Sequence, residues 1–130
     1  MKEATKLSVV NKTKGKLPRL PFLNVKNKIL GSRYELSIVF LTDKEMRIIN
    51  KKYRKKDRAT NVLSFSLTEK SGELLLAPSL IKKEAPRFEM NVADFTLYLI
   101  IHGMLHLKGY EHGSTMEDKE EKWKKYFHIS

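Results

Sequence analysis

Glu35-Leu36-Ser37-Ile38-Val39-Phe40-Leu41-Thr42-Asp43-Lys44-Glu45 is the stretch whose reading decides the fold class. Residues 35–41 are rich in aliphatic, β-branched and aromatic side chains, the composition of a buried strand. Thr42 ends the run, and with Glu45 three positions on it makes a capping-box pair, so a helix starts at once and runs to about Tyr53 or Lys56. Ile48, Ile49 and Tyr53 are expected to face the core, leaving the basic residues of this helix outside. Upstream, residues 6–10 suit a short strand. Residues 21–30 carry Leu23, Val25, Ile29 and Leu30 at helical spacing, with Gly31 as the stop. Downstream, residues 62–67 read as a strand, and residues 73–77 as another after the Ser71-Gly72 turn. An apolar helix is predicted from Asn91 or Asp94 to Leu107, and a second capping box, Ser114 with Glu117, opens a last helix to about Phe127. Strands alternating with helices give an α+β fold of α/β-like character: one small mixed sheet of about four strands covered by about five helices. The link from Leu41 to Val62 is long enough for a crossover, so those two strands are expected to be parallel. The strand at Glu73 should be antiparallel to its predecessor. No repeat or linker divides the chain, and residues 1–130 are expected to form a single domain.

Composition narrows the chemistry. The chain has no cysteine, so thiolate ligands and disulfides are excluded and a transition-metal site has to be built from histidine. Twenty-six Lys and Arg against fifteen Asp and Glu give a net charge of +11, which points to a polyanionic partner. Between Asp43 and Arg58 eight basic residues face three acidic ones. A second basic cluster comprises Lys2, Lys6, Lys12, Lys14, Lys16 and Arg19. Contacts from such side chains to phosphates give affinity without sequence information. The start, Met1 to Lys6, is not followed by an apolar run long enough for a secretory signal. The longest apolar stretch, residues 95–107, is interrupted by His102 and His106 and is too short to span a bilayer. The expectation is a soluble cytoplasmic protein with no membrane partner.

The most specific motif is His102-Gly103-Met104-Leu105-His106-Leu107-Lys108-Gly109-Tyr110-Glu111-His112. Residues four apart lie on one face of a helix, so His102 and His106 can offer two imidazoles to one metal ion. Gly109 can take a left-handed conformation, end the helix and let the chain return with His112 as a third ligand. Three imidazoles with an open fourth position form the arrangement of a catalytic zinc, although imidazole also suits other transition metals. His128 has no such company and is expected to be exposed.

These spacings match the extended zinc-protease signature at every histidine and at the glycine, with one difference. Gly103 stands where the protease carries the glutamate that takes a proton from zinc-bound water, and glycine has no group to do this. A zinc peptidase is therefore a poor reading. Metal-activated water can attack phosphorus as well as carbonyl carbon, and hydrolysis of RNA then needs a cation to offset charge in the transition state. Arg47, Arg54 and Arg58 are equivalent candidates on sequence alone. Glu111 and Asp57 are both carboxylates that could act as a general base, and nothing in the sequence chooses between them. A reading of a different class is an RNA- or ribosome-binding assembly factor whose metal is structural.

The histidine segment, together with Tyr53-Arg54-Lys55-Lys56-Asp57-Arg58-Ala59-Thr60-Asn61-Val62-Leu63-Ser64-Phe65, resembles the YbeY family of bacterial endoribonucleases over roughly residues 35–112. The resemblance implies a metal-dependent, single-strand-specific endoribonuclease acting in 16S ribosomal RNA 3′-end maturation and ribosome quality control, with single-stranded RNA and the small ribosomal subunit as partners. It implies one zinc ion on His102, His106 and His112 and a functionally important arginine at Arg54, which lifts Arg54 above its neighbours. The family pattern usually has aspartate where this chain has Glu111, proline at Ala59, and Gly-Asp where Gly72-Glu73 stands. None of these positions belongs to the ligand set.

Overall fold

A computed structural model describes residues 6–129. Met1 to Thr5, including Lys2 of the basic N-terminal cluster and most of the segment considered for a signal, lie outside the described residues. Strand β1 (Leu7–Asn11) leads to helix α1 (Phe22–Ile29) and strand β2 (Glu35–Phe40). Gly31, just past α1, has φ +98°, the conformation expected of a helix stop. Helix α2 (Asp43–Arg54) begins where Thr42 Oγ1 accepts the Glu45 amide at 3.2 Å, so the predicted capping pair forms. Strands β3 (Val62–Thr68) and β4 (Ser71–Leu76) form a hairpin. Helix α3 (Pro78–Glu84), a 3₁₀ turn (Ala85–Phe88), helix α4 (Val92–Leu107) and helix α5 (Ser114–Tyr126) complete the described chain.

Among the described residues these strands make one mixed sheet in the order β1-β2-β4-β3, an α+β architecture with five α-helices. β2 pairs parallel with β1 and β4, while β3 is antiparallel to β4. The expected parallel relation between β2 and β3 is therefore wrong. The hairpin inserts β4 between them, and the parallel partner of β2 is β4. Burial explains the choice: Leu74, Leu75 and Leu76 are all buried, so β4 hides both faces as a central strand does. β3 alternates Leu63 and Phe65 with Ser64 and Ser66, a pattern suited to an edge.

The larger core lies between one sheet face and helices α1, α3, α4 and α5, centred on Leu36, Ile38, Phe40, Leu74, Leu76, Ile100 and Met104. The smaller core, Leu41, Met46, Leu63, Leu75 and Ala77, lies on the opposite face beneath α2. Here the core face of α2 differs from expectation. Met46 and Asn50 are buried, Ile49 is half-buried, and Ile48 and Tyr53 are each 58% exposed. Ile48 sits two residues from Met46, on the far side of the helix. Tyr53 lies at the last turn, where its ring meets Phe65 edge-on at a centroid separation of 5.6 Å. The second predicted capping box also fails: Gly113 is the N-cap of α5, without a side-chain bond, and Ser114 is already helical.

Helix α4 is buried almost all round and passes close beneath β4. A Cβ at Gly103 would lie 2.7 Å from Leu74 Cδ2, and Leu74 is itself fully buried. This close approach fixes the height at which the side chains flanking Gly103 leave the helix.

Candidate metal centre

His102 and His106 project from the last turns of α4. The chain leaves that helix through Gly109, at φ +105°, and returns His112 to the same place. Ring centroids are 4.7 Å apart for His102 and His106, 5.3 Å for His102 and His112, and 4.8 Å for His106 and His112. One ring nitrogen from each lies within 4.8 Å of the others, so the three could hold one metal ion.

Hydrogen bonding defines which nitrogens face inward. His102 Nδ1 lies 2.6 Å from Glu120 Oε1, and His106 Nδ1 lies 3.0 Å from the Tyr110 carbonyl oxygen. A carboxylate and a carbonyl can only accept, so both Nδ1 atoms carry hydrogen, and in the neutral form that binds metals each ring then presents a lone pair at Nε2. Those two Nε2 atoms face each other at 3.2 Å. Burial, and the neighbouring His102 imidazole, hold the His106 pKa below its ordinary 6.5, which favours the neutral, metal-binding form of that ring. Two neutral rings facing each other in this way can share a cation. The separation is close to the ~3.3 Å edge of a tetrahedron with metal–nitrogen bonds of 2.0–2.1 Å. The donor set therefore fits a divalent transition metal.

A cleft of about 350 Å³ opens beside the triad, lined by all three histidines and by Arg54, Lys56 and Arg58. Arg54, the last residue of α2, donates from Nη2 to the Ser64 carbonyl oxygen at 2.9 Å, and its guanidinium lies 4.9 Å from the Phe65 ring centroid. Asn50, buried beneath, donates to the Arg58 carbonyl oxygen at 2.9 Å and ties that loop to α2. Lys55 has φ +58° and turns the chain out of α2 into the cleft wall. Arg54 and Arg58 thus reach the same cleft as the histidines. Arg47 does not line it: it donates to Asp57 at 2.7 Å, and this bond lowers the Asp57 pKa from its ordinary 3.8. Of the two carboxylates weighed as a base, Asp57 is committed to Arg47, and neither it nor Glu111 is among the cleft-lining residues. His128 is exposed, as expected.

One participant escapes sequence reasoning. Glu120 lies on α5, is 8% exposed, and accepts from Tyr98 Oη at 2.9 Å in addition to meeting His102. Burial raises the Tyr98 pKa, and the hydrogen bond to Glu120 adds to it. The available signal was positional. Met116, Glu120, Trp123 and Phe127 share the inner stripe of α5, so a carboxylate stands where the spacing calls for an apolar residue.

The family model described as Endoribonuclease YbeY matches residues 6–128. A Francisella philomiragia protein named Endoribonuclease YbeY is 30% identical over 91% of this chain and 85% of its own length. A Neorickettsia sennetsu protein of the same name is 39% identical over 70% of this chain and 71% of its own. The solution structure of a Thermotoga maritima protein superposes with a TM-score of 0.64 at 26% identity, covering 90% of this chain and 85% of that one. The chain belongs to the YbeY endoribonuclease family.

Proposed function

We propose that this member of the YbeY family is a zinc-dependent, single-strand-specific endoribonuclease, with His102, His106 and His112 as the metal ligands and Arg54 as the cation that stabilises the reacting phosphate. The observation that carries the reading is one cleft lined by both the inward-facing imidazoles and Arg54, Lys56 and Arg58. A zinc ion on the triad would supply a Lewis acid and an activated water nucleophile. The residues do the rest. The Tyr110 carbonyl oxygen, 3.0 Å from His106 Nδ1, orients that ring. The Ser64 carbonyl and the Phe65 ring hold the Arg54 guanidinium by one donor and one face, leaving its other N–H groups for the non-bridging oxygens of a phosphodiester. Lys56 and Arg58 offer positive charge for adjoining phosphates. A single strand can lead one phosphate into so small a cleft without first being unpaired.

A peptide substrate fits less well. The place of the protease glutamate is taken by Gly103, where Leu74 leaves no room for a side chain. On edge strand β3, along which a peptide could pair, the Ser64 carbonyl is already bonded to Arg54.

With the net charge of +11 and the family resemblance, the proposed substrate is 16S ribosomal RNA at its 3′ end, on or near the small ribosomal subunit, with a role in ribosome quality control. The proposed location is the cytoplasm, and residues 1–130 act as one endoribonuclease domain. Among the described residues no helix is long and apolar enough to cross a membrane. The deciding experiment incubates zinc-loaded protein with single-stranded RNA. His106→Ala is expected to lose both metal and cleavage, and Arg54→Glu to keep the metal and lose cleavage. If the zinc-loaded wild type leaves the RNA intact while His106→Ala still binds RNA normally, the reading gives way to a non-catalytic RNA-binding factor.

A further inference from the structure

Helix α5 contributes no ligand to the triad, yet it places one carboxylate against it. Glu120 is 8% exposed, and both its oxygens are engaged: Oε1 with His102 Nδ1 at 2.6 Å and Oε2 with the Tyr98 hydroxyl at 2.9 Å. An ionised carboxylate is stable at such a depth only when its hydrogen bonds are made, and among the described residues His102 and Tyr98 are the donors that reach it. We propose that Glu120 is a positioning residue for the metal centre, braced by Tyr98: it holds His102 with hydrogen on Nδ1, aims Nε2 at the ion, and supplies the negative charge that three neutral imidazoles lack. The inference rests on the proposed metal-binding reading of the triad.

The physical grounds are independent of catalysis. Free neutral imidazole places its hydrogen on either nitrogen, so a ligand that must present Nε2 needs an acceptor at Nδ1 to select the tautomer. His106 obtains that acceptor from the Tyr110 carbonyl, which is local and uncharged. His102 obtains it from a residue eighteen positions away on another helix, so its orientation depends on how α5 sits against α4. Met116, buried to 1% exposure one turn before Glu120, fixes that seating. A carboxylate partner also makes the imidazole a stronger donor to the metal, and loss of such a partner typically weakens metal binding by about 10- to 100-fold.

The test compares the full chain with Glu120→Ala, Glu120→Gln and Tyr98→Phe in two measurements. Long-range ¹H–¹⁵N NMR of the metal-free proteins reads the His102 tautomer. Zinc competition against a chromophoric chelator reads affinity. Wild type is expected to show His102 with hydrogen on Nδ1. Glu120→Ala should lose that lock and weaken zinc binding about 10- to 100-fold. Glu120→Gln preserves shape and one acceptor and should fall between, with Tyr98→Phe a milder change in the same direction. A merely structural tie between α4 and α5 would lower thermal stability without moving the tautomer. An unchanged tautomer in Glu120→Gln and Glu120→Ala, with zinc affinity within about threefold of wild type, overturns the proposal. If wild type shows the locked tautomer but binds no zinc, the metal reading fails while the orienting role of Glu120 on His102 stands.

Discussion

Arg54→Ala separates the stability of this cleft from its chemistry. In the structure the guanidinium makes one hydrogen bond, to the Ser64 carbonyl at 2.9 Å, and one face-on contact, to Phe65 at 4.9 Å. Both are at the surface, so together they are worth about 1–2 kcal/mol. That loss lowers the melting temperature of a chain this size by about 3–8 °C and leaves it folded at 25 °C. The effect on reaction is expected to be larger: removing one fixed donor from a developing oxyanion typically costs about 10²–10³ in kcat, or about 2.7–4 kcal/mol. Arg54→Lys keeps the charge but loses the planar fork and the stacking on Phe65, so it should recover only part of the rate. Phe65→Leu removes the platform and should lower kcat by a smaller factor while Arg54 remains. Single-turnover cleavage of a labelled single-stranded RNA, alongside thermal melts and zinc titrations, gives all three quantities. A kcat for zinc-loaded Arg54→Ala within about threefold of wild type refutes the reasoning. So does a loss that merely follows the unfolded fraction.

Three further perturbations follow from the geometry. Lys26 is fully buried on α1 and donates to the carbonyls of Gly31, Ser32 and Tyr34 at 3.2, 3.1 and 2.9 Å; Lys26→Met should cost about 2–4 kcal/mol in urea unfolding, because burial of the ammonium, which lowers its pKa, offsets part of three charged hydrogen bonds. Gly109→Ala meets no neighbour but must hold φ +105°, so a strain of about 1–3 kcal/mol should appear as a lower apo melting temperature or weaker zinc binding; loss of neither contradicts the assigned hinge. The Asp57 carboxyl should titrate below 3.8 by carboxyl NMR and return toward that value in Arg47→Ala. Because its folded pKa is lowered, the pair's stabilisation is present above 3.8 and lost as pH falls through the lower folded value.

The parts legible in the sequence are those governed by neighbours in the chain. β2, the Thr42–Glu45 cap, the stop at Gly31 and the helix carrying two histidines depend on periodicity and local hydrogen bonds, and each falls within a residue or two of its reading. Gly109 was legible for the same reason: a return of His112 requires a residue that tolerates positive φ. Helix α3 and the 3₁₀ turn are not legible, because residues 78–88 form short elements and two prolines, Pro78 and Pro86, obscure the helical pattern. Pro78 in fact starts α3, where its missing N–H costs no helical bond. Strand order differs from the sequence expectation because pairing is decided across the sheet. The clue lay in two side-chain patterns, the continuous Leu74-Leu75-Leu76 of a central strand and the Ser64-x-Ser66 alternation of an edge. Glu120 is hard to single out for a related reason, since its partner His102 is distant in sequence and one glutamate among the mostly acidic residues 117–121 reads as a solvated face.

Strand order and the metal centre are one problem. With β4 in the centre, its Leu74 lies over Gly103, and the absence of a side chain there lets α4 rise against the sheet. With β3 at the edge, Ser64 and Phe65 are available to hold Arg54, which arrives from the end of α2 on the other side of the sheet. Exchanging β3 and β4 would break both relations, separating the guanidinium from the histidines. Gly103 therefore does more than omit a protease carboxylate. It sets the helix–sheet distance at which imidazoles from below and a guanidinium from around the edge line one cleft. Substituting Gly103 by glutamate to restore the protease pattern should consequently fail twice. The side chain has no space beside Leu74, and overpacking of this kind costs about 1–3 kcal/mol or more. Any shift of α4 that accommodated it would also pull the triad away from Arg54. Recovery of peptide hydrolysis by soluble, zinc-loaded Gly103→Glu with its melting temperature unchanged would contradict this account of the cleft.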